Sequence, residues 1–425
     1  MPPPTGAIEV WIWGQRAGAV AADPNLGCYV FEYDPKWLQS GVELAPIIMR
    51  TDRPRVFAFP ELGESFKRLP GLLSDALPDD FGNALVDAWM AERGIAKSEI
   101  TSLHRLAYMG KRGMGALEFK PPQGARTESA KPLAMKELVE AARQAVRGNF
   151  EDDAHAKAAL ANIIRVGTSA GGARAKAVIA WHPTSHEMRS GQFNVADGFE
   201  HWLLKFDGVG ADKELGTSAD YGRIEYAYHL MALRAGITMA PCRLLEETGR
   251  AHFMTKRFDR DGNTKHHLQT LCALQHLDYK QRASHSYEQL FLTISALQIG
   301  PQAMDEAFRR MAFNVMARNC DDHAKNFSFR LKEGGRWEMA PAYDVTHAHN
   351  PKGEWTAQHL MSVNGRFDEI RRADLLEVAD RFVVSDPKRA LGSVAAAILA
   401  WPEFAAAAGV PSATKDRVQN DFRIV

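Results

Sequence analysis

The segment with the greatest density of reactive side chains in this 425-residue sequence is RNCDDHAKNFSF, Arg318 to Phe329. Two adjacent carboxylates, a histidine, a lysine and an amide lie within six residues, from Asp321 to Asn326. An apolar pattern with helical spacing precedes the segment, and a strand-like pattern follows it. The segment could be a polar turn at a helix exit, a metal site, or the reactive end of an enzyme.

The spacing inside this segment favours phosphoryl transfer. In protein-kinase catalytic loops an Asp orients or deprotonates the attacking hydroxyl, and an Asn five residues later holds a magnesium ion. Asp321 and Asn326 have the same separation, although His323 follows the Asp here instead of preceding it. The spacing therefore predicts a catalytic loop in which Asp321 orients or deprotonates the acceptor hydroxyl and Asn326 binds the magnesium ion.

A further carboxylate follows on the next predicted hairpin. The segments FSFRL and RWEMAPAYD flank a KEGG turn, and we expect the second strand to end at Asp344. A carboxylate in that position can reach a magnesium ion that bridges phosphates. Asn326 and Asp344 would then share the metal.

Upstream, a glycine-rich segment, a lysine and a glutamate have the order of a nucleotide-binding lobe. The segment GTSAGGARAK, residues 167–176, could bring backbone amides close to phosphate, although Ala173 stands where a P-loop requires lysine. Lys205 is the basic residue of the apolar strand pattern WLLKF, and Glu225 lies in the next predicted helix. In kinases a strand lysine grips the nucleotide phosphates and pairs with a helix glutamate.

The remaining patterns predict an α+β protein in three parts. Residues 1–130 form a mixed α/β subdomain, residues 131–260 a β-containing ATP lobe, and residues 261–425 a mainly helical C-terminal lobe. In the first part IEVWIWG and GCYVFEYD are expected to pair, and APIIM and RVFAFP to be further strands. Asp79 or Asp80 is expected to cap the helix that follows them.

Composition narrows the class of protein. Lys and Arg total 52, as do Asp and Glu, so no global positive field favours nucleic acid as a direct ligand. The four cysteines are widely spaced and fit reduced thiols better than a disulfide framework or a zinc site. The N-terminus lacks a signal-peptide pattern, and the apolar run at 390–401 is too short to span a bilayer. We expect a cytoplasmic protein with no membrane attachment.

Together these segments resemble the HipA family, the serine/threonine-kinase toxins of bacterial type II toxin–antitoxin modules. The most specific matches are DDHAKNFSF and PAYDV, and FEYDPKWLQSG, LPGLLSDALPDDFG and KRFDR are also similar. The resemblance implies a bilobed, protein-kinase-like fold that uses ATP and Mg²⁺. It also implies a HipB-like helix-turn-helix antitoxin as partner, DNA contacted only indirectly through that antitoxin, and a protein target such as an aminoacyl-tRNA synthetase.

The resemblance also implies a role for individual residues. Asp321 would be the catalytic base, Asn326 and Asp344 the magnesium ligands, and Lys205 the ligand of the ATP phosphates. The other implied assignments are Gly171, Gly172 and Lys176 in the phosphate loop, Arg257 and Phe258 beside the adenine, and Ser169, with Thr168 as its competitor, as the autophosphorylated residue. Phosphate on Ser169 adds nearly two negative charges and would repel ATP, which implies a way to switch the kinase off.

Two other functions stay open at this point. A metal-dependent phosphoesterase could use Asp321, Asp322 and His323 as ligands, with HAH at 347–349 as a further cluster. That function would leave the glycine-rich segment and Lys205 unexplained. A kinase-like subunit that only binds an antitoxin would not need the complete catalytic set. For the kinase itself, Asp322 is either a supporting carboxylate or solvated.

Overall fold

The computed structural model of this protein describes residues 6–78, 80–124, 132–147, 163–164, 174–209, 220–247 and 249–425. Five of the predicted residues therefore lie outside the described ranges: Asp79, Thr168, Ser169, Gly171 and Gly172. Two clusters of buried apolar side chains form the core. One joins residues between 8 and 254 and the other residues between 62 and 418, so each core draws on more than one of the predicted parts.

The N-terminal part is an antiparallel sheet covered by helices. Its described strands are β1 Ala7–Ile12, β2 Gln15–Asp23, β3 Cys28–Tyr33, β4 Val56–Phe57 and β5 Glu118–Lys120, in the order β4-β3-β2-β1-β5. Its helices are α1 Pro35–Leu38, α2 Gly71–Ser74, α3 Asp80–Ala91 and α4 Ser102–Met109. Ile8, Val10 and Ile12 alternate along β1 and are fully buried, and α4 packs on β1, β2 and β5.

Two strand predictions in this part are wrong. Strands β1 and β3 do not pair with each other, because β2 lies between them and pairs with both. The β2 sequence is rich in alanine and glycine, which have low strand propensity, but Gly18 lets β3 approach closely: a β-carbon there would lie 2.3 Å from Glu32 O.

The second wrong prediction concerns the APIIM segment. It forms turns and buries Ala45 and Met49, so its apolar residues are part of the core.

A second antiparallel sheet carries the predicted lysine. Its described strands are β6 Lys176–Trp181, β7 Met188–Ser190, β8 Glu200–Lys205, β9 Cys242–Glu247 and β10 Arg250–Lys256, in the order β7-β6-β8-β10-β9. Helix α5 is Met135–Arg147, and helix α6, Tyr221–Arg234, packs on β9 and β10. The close packing of α6 depends on Gly222, because a β-carbon there would lie 1.9 Å from Ala251 O. The predicted lysine strand, glutamate helix and hairpin are confirmed.

The C-terminal part is mainly helical, as predicted. Its helices are α7 Leu271–Gln275, α8 Tyr287–Ala296, α9 Pro301–Met316, α10 Arg372–Arg381, α11 Pro387–Leu399, α12 Trp401–Ala407 and α13 Ser412–Asp421. Among the short strands, β11 Arg260–Asp261 pairs with β12 Thr264–Lys265, and β14 His285–Ser286 pairs with β17 Met361–Ser362. A three-stranded sheet has the order β13 His267–Thr270, β15 Ser328–Leu331, β16 Trp337–Met339.

The hairpin before Asp344 is present, but it is shorter than predicted. Strand β16 ends at Met339, and Asp344 follows in an irregular segment. The backbone of Asp344 is left-handed, with φ of 52°. The direction of its side chain is therefore set by a local backbone turn and not by the alternation of a strand.

Helices α11 and α12 contain the small apolar run of residues 390–401. The side chains of Leu391, Val394 and Trp401 are fully buried, as expected for a core helix. Within the described ranges, no helix by itself combines the length and the apolarity of a membrane span. The pair α11 and α12 meets both requirements when taken together, with a bend of 51° at the break.

Candidate active site

A cavity with an empty volume of about 1360 Å³ opens between the N-terminal part, the second sheet and the predicted catalytic segment. It is lined by all described residues that were predicted to bind the nucleotide or metal or to act in phosphoryl transfer, and by the predicted partner of Lys205: Lys176, Lys205, Glu225, Arg257, Phe258, Asp321, Asn326 and Asp344. This volume includes open solvent at the mouth of the cavity. The structure therefore brings these residues together around one cavity.

Lys205 is at the centre of the charged part of this cavity. Its Nζ lies 2.5 Å from Glu225 Oε1, and it also donates a hydrogen bond to Asp344 Oδ1. Burial alone would lower the pKa of Lys205, but the two carboxylates outweigh it and raise the pKa above its usual range. Lys205 therefore stays positively charged and holds the helix and the Asp344 segment together.

Lys176 gives the cavity a second positive charge. It is the direct partner of Lys205 across strands β6 and β8, so the two side chains lie on the same face of the sheet. Burial would raise the pKa of Asp344, but the nearby Lys205 and Lys176 lower it below its usual range. The arrangement keeps Asp344 ionised beside two ammonium groups.

The predicted catalytic segment follows helix α9, and the side chain of Asn326 organises it. Its Nδ2 donates to the backbone oxygen of Asp321 at 2.7 Å, and its backbone N–H donates to His323 O at 2.9 Å. These two bonds close the loop and leave Oδ1 of Asn326 as an acceptor. The five-residue separation of Asp321 and Asn326 therefore matches a hydrogen bond from the Asn326 side chain to the Asp321 backbone.

The carboxylate of Asp321 faces the cavity, with 51% of its side-chain surface exposed. The surrounding protein nevertheless removes enough water to raise its pKa, and this effect exceeds the lowering by His323, whose Nε2 lies 3.7 Å from Asp321 Oδ1. A carboxylate that is accessible and more basic than usual suits a general base.

Asp322 points the opposite way and is completely buried. It accepts hydrogen bonds from the Tyr287 hydroxyl at 2.7 Å, from His359 Nδ1 at 2.9 Å and from the backbone N–H of Leu360 at 2.8 Å. Burial would lower the pKa of His359, but Asp322 reverses this and raises it to about 10. Of the two roles left open for Asp322, supporting or solvated, the structure therefore favours the supporting one: its carboxylate holds the buried side of the predicted catalytic segment in place.

The geometry contradicts the phosphoesterase alternative. Asp322 is turned away from Asp321. His347 Nε2 and His349 Nδ1 lie 2.9 and 3.3 Å from Asp421 Oδ2 of helix α13, and neither histidine lines the cavity. Across the described ranges, no group of three or more His, Cys, Asp or Glu side chains is placed to hold a metal ion. Asp344 and Asn326, the carboxylate and the amide that the sequence predicts as magnesium ligands, both line the cavity together with Asp321.

Arg257 and Phe258 line the cavity in different ways. The guanidinium of Arg257 is 1% exposed and is bound to Asp259, with Nε–Oδ1 at 2.9 Å and Nη2–Oδ2 at 2.7 Å. A ligand in the cavity would therefore contact the backbone of Arg257 and not its guanidinium group. The ring of Phe258 lies 5.6 Å from the ring of Tyr343, the residue before Asp344.

A strand lysine paired with a helix glutamate, an Asp–Asn loop and a following Asp define a kinase-like class of fold and site. Residues 8–120 match the family model of the HipA N-terminal domain, and residues 168–406 match that of the HipA-like C-terminal domain. The chain belongs to the HipA family, and the bilobed HipA-like fold predicted from the sequence is confirmed.

Comparison with solved structures agrees with this assignment. One match is in the Shewanella oneidensis MR-1 toxin–antitoxin complex of HipA, HipB and operator DNA, with a TM-score of 0.67 and 17% identity over 97% of this chain and 95% of that chain. The Helicobacter pylori proinflammatory kinase CtkA matches with a TM-score of 0.34 and 12% identity, over 54% of this chain and 90% of that chain. The first match supports the fold, and the second is too distant to support an argument.

Replacing Asp322 with alanine should destabilise the protein strongly. The change leaves a buried imidazolium, a hydroxyl and an amide without their acceptor, which costs about 3–5 kcal/mol for a broken buried ion pair. Urea unfolding at pH 7 measures this cost. The matched control is Asp321→Ala on the adjacent, accessible side chain, which should change the free energy of unfolding by less than about 1 kcal/mol. Equal losses in the two variants would contradict the anchoring role of Asp322.

The contribution of His359 to stability should depend on pH. The pKa of His359 is raised to about 10 in the folded protein, against about 6.5 in an unfolded chain. A raised pKa stabilises the fold fully below the unfolded value, and this contribution is lost as the pH rises towards 10. The difference in unfolding free energy between wild type and His359→Gln should therefore be largest near pH 6 and decline up to pH 10. A difference that is constant over this range would show that His359 is neutral.

Proposed function

We propose that this protein is an ATP- and Mg²⁺-dependent protein kinase that phosphorylates Ser or Thr hydroxyl groups. The observation that carries the proposal is the position of Lys205, which contacts both Glu225 and Asp344 inside the cavity that also holds Asp321 and Asn326. Phosphoryl transfer needs groups that grip phosphate, hold a metal ion and receive a proton. This cavity contains at least one candidate for each task.

Asp344 and Asn326 fit a magnesium ion by their chemistry. Mg²⁺ takes oxygen ligands and is commonly bound by one or two carboxylates together with waters and substrate phosphates. Asp344 stays ionised because nearby lysines lower its pKa, and Asn326 keeps Oδ1 available while Nδ2 is bonded to the loop. When bound, the ion would neutralise charge on the phosphate oxygens.

Asp321 would act as the base in the transfer step. It accepts the proton of the acceptor hydroxyl, whose oxygen bonds to the γ-phosphorus while the bond to the bridging oxygen breaks and ADP leaves. Desolvation raises the pKa of Asp321 and makes it more basic than a fully solvated aspartate. Lys205 and Lys176 would hold the nucleotide phosphates in line.

We further propose that the kinase is the toxin of a type II toxin–antitoxin system. Membership of the HipA family supports this, as does the fold shared with a complex that contains HipA, HipB and operator DNA. The partner would be a HipB-like helix-turn-helix antitoxin that makes the DNA contacts, which agrees with the zero net charge of this chain. The target would be a cytoplasmic protein such as an aminoacyl-tRNA synthetase, and its phosphorylation would arrest growth.

Incubation with γ-labelled ATP and Mg²⁺, followed by mapping of the labelled residues, tests the proposal. We expect label on Ser169 of the protein itself, and we expect it to disappear when Mg²⁺ is chelated. Label on Thr168 would move the regulatory site by one residue. Release of phosphate from phosphoesters without ATP would contradict a kinase.

A further inference from the structure

A second cavity lies beside the end of helix α9, behind the predicted catalytic segment. It is formed by the end of α9, by the segment before helix α10 and by the residues after helix α13. Its empty volume is about 1080 Å³, which includes open solvent at the mouth. Of the described residues, none lines both this cavity and the one around Lys205. A ligand in the second cavity would therefore not touch the groups proposed for phosphoryl transfer.

The buried residues that line the second cavity combine positive charge with apolar surface. Val315, Arg318, His359 and Ile370 are each no more than 7% exposed. Asp322 raises the pKa of His359, so Arg318 and His359 are both cationic. Ligand pockets are typically apolar with a few polar groups that orient the ligand, and this buried set has that composition.

Arg318 has fewer partners than a buried guanidinium needs. Its Nη1 lies 3.3 Å from Asp368 Oδ1, and the side chain of Asp368 is itself 52% exposed. Within the part of the chain that the structure describes, Nε of Arg318 is buried and has no hydrogen-bond partner. A buried donor without an acceptor costs free energy, and a guanidinium can bond to two oxygens of one carboxylate or phosphate. An oxyanion that enters the cavity would supply the missing acceptor.

The exposed residues that line the mouth of the second cavity carry no net charge. Arg371 and Arg423 contribute two positive charges, and Asp368 and Glu369 contribute two negative ones. Ile424, also at the mouth, adds apolar surface and is 44% exposed. The positive charge is therefore concentrated in the buried part, which favours a ligand that enters with its anionic group first.

The second cavity is linked to the predicted catalytic segment at two points. Arg318 comes three residues before Asp321, and its backbone is left-handed, with φ of 54°, where the chain leaves helix α9. His359 Nδ1 lies 2.9 Å from Asp322 Oδ2, next to Asp321 in the chain. A ligand bound to Arg318 would therefore stabilise the turn that leads to Asp321.

We propose that the second cavity binds a small organic anion, whose carboxylate or phosphate group bonds to Arg318 and whose apolar body packs against Val315, Ile370 and Ile424. The carboxylate or phosphate gives the buried guanidinium of Arg318 the acceptor that it lacks. The apolar body fills the space between the buried part and the mouth. This binding does not depend on the proposed kinase activity, because it uses none of the residues around Lys205.

Titration calorimetry without nucleotide tests the class of ligand. The probes are phenyl phosphate and benzoate, which carry an anionic group and an apolar ring, with phenol and inorganic phosphate as compounds that each lack one of the two. We expect at least one of the first pair to bind wild type about tenfold more tightly than both phenol and inorganic phosphate. Tighter binding of phenyl phosphate identifies a phosphate ester as the ligand, and tighter binding of benzoate identifies a carboxylate.

Three variants test the site. Arg318→Gln should bind the tighter probe at least about tenfold more weakly, because it loses the charged donor. Ile424→Asp should weaken binding by about the same factor, because it adds a negative charge at the mouth. Arg366→Gln is the matched control: Arg366 is exposed, pairs with Asp374 at 3.4 Å and does not line the cavity, so affinity should equal that of wild type.

Hydrogen exchange locates the bound probe without a substitution. We expect the tighter probe to slow exchange in residues 315–323 and 366–371 and to leave residues 200–206 of strand β8 unchanged. Protection confined to residues 200–206 would place the anion beside Lys205 and overturn the proposal. Wild type that binds neither anion, or equal affinity in wild type, Arg318→Gln and Ile424→Asp, would also overturn it. If Arg318→Gln does not fold, Ile424→Asp and hydrogen exchange decide the question.

Discussion

Asp321→Asn should remove phosphoryl transfer while leaving nucleotide binding intact. The substitution keeps the size of the side chain and the backbone oxygen that Asn326 binds at 2.7 Å. It removes the group that accepts the hydroxyl proton, and loss of a general base lowers rates about 10²- to 10⁴-fold. Initial rates with γ-labelled ATP measure the loss, and calorimetry with MgATP should give an unchanged Kd.

The control for this variant is a carboxylate far from the cavity. Asp380 is exposed near the end of helix α10, so Asp380→Asn should transfer phosphate at the wild-type rate. An Asp321→Asn variant with wild-type transfer would show that another group takes the proton. It would also revive a purely binding role for this kinase-like fold.

Lys205→Met should weaken nucleotide binding as well as transfer. Methionine keeps much of the length of the side chain but removes the ammonium that pairs with Glu225 and Asp344. It takes away a charged contact to phosphate, worth about 1.5–3 kcal/mol, or roughly 10- to 100-fold in affinity. It also leaves two carboxylates facing each other without their shared cation. Calorimetry with MgATP measures the affinity, and labelled transfer measures the rate.

A lysine on the other sheet provides the comparison for Lys205→Met. Lys120 lies on strand β5 with its ammonium over the ring of Trp11, outside the cavity. Lys120→Met should bind MgATP as wild type does. Equal affinity in Lys205→Met and wild type would contradict phosphate binding by Lys205.

Local sequence patterns were enough to predict the charged centre of the site. The spacing of Asp321 and Asn326, the lysine in WLLKF and the hairpin before Asp344 are features of short segments, and the periodicity of each segment can be read without knowing its distant partners. The resemblance to the HipA family then implied that these segments form one site for ATP and magnesium. The structure places Lys205, Asp321, Asn326 and Asp344 around one cavity.

What the sequence could not predict depends on contacts between distant residues. Asp322 is bound by His359, 37 residues later, and Asp259 by Gly115, 144 residues earlier, and no local pattern records either pair. Strand β2 was missed because its alanines and glycine give a weak strand signal, while pairing on both sides holds it in the sheet. The apolar residues of APIIM have a strand-like pattern, but Ala45 and Met49 are buried in the core from a segment of turns.

The most direct test of the central claim is the stoichiometry of the reaction. Purified protein would be incubated with ATP, Mg²⁺ and a pool of cellular proteins, and ADP, inorganic phosphate and protein phosphoester would be measured together. The account predicts one phosphoserine or phosphothreonine for each ADP formed, and neither product with Asp321→Asn. Formation of ADP together with an equal amount of inorganic phosphate, and no protein phosphoester, would contradict it.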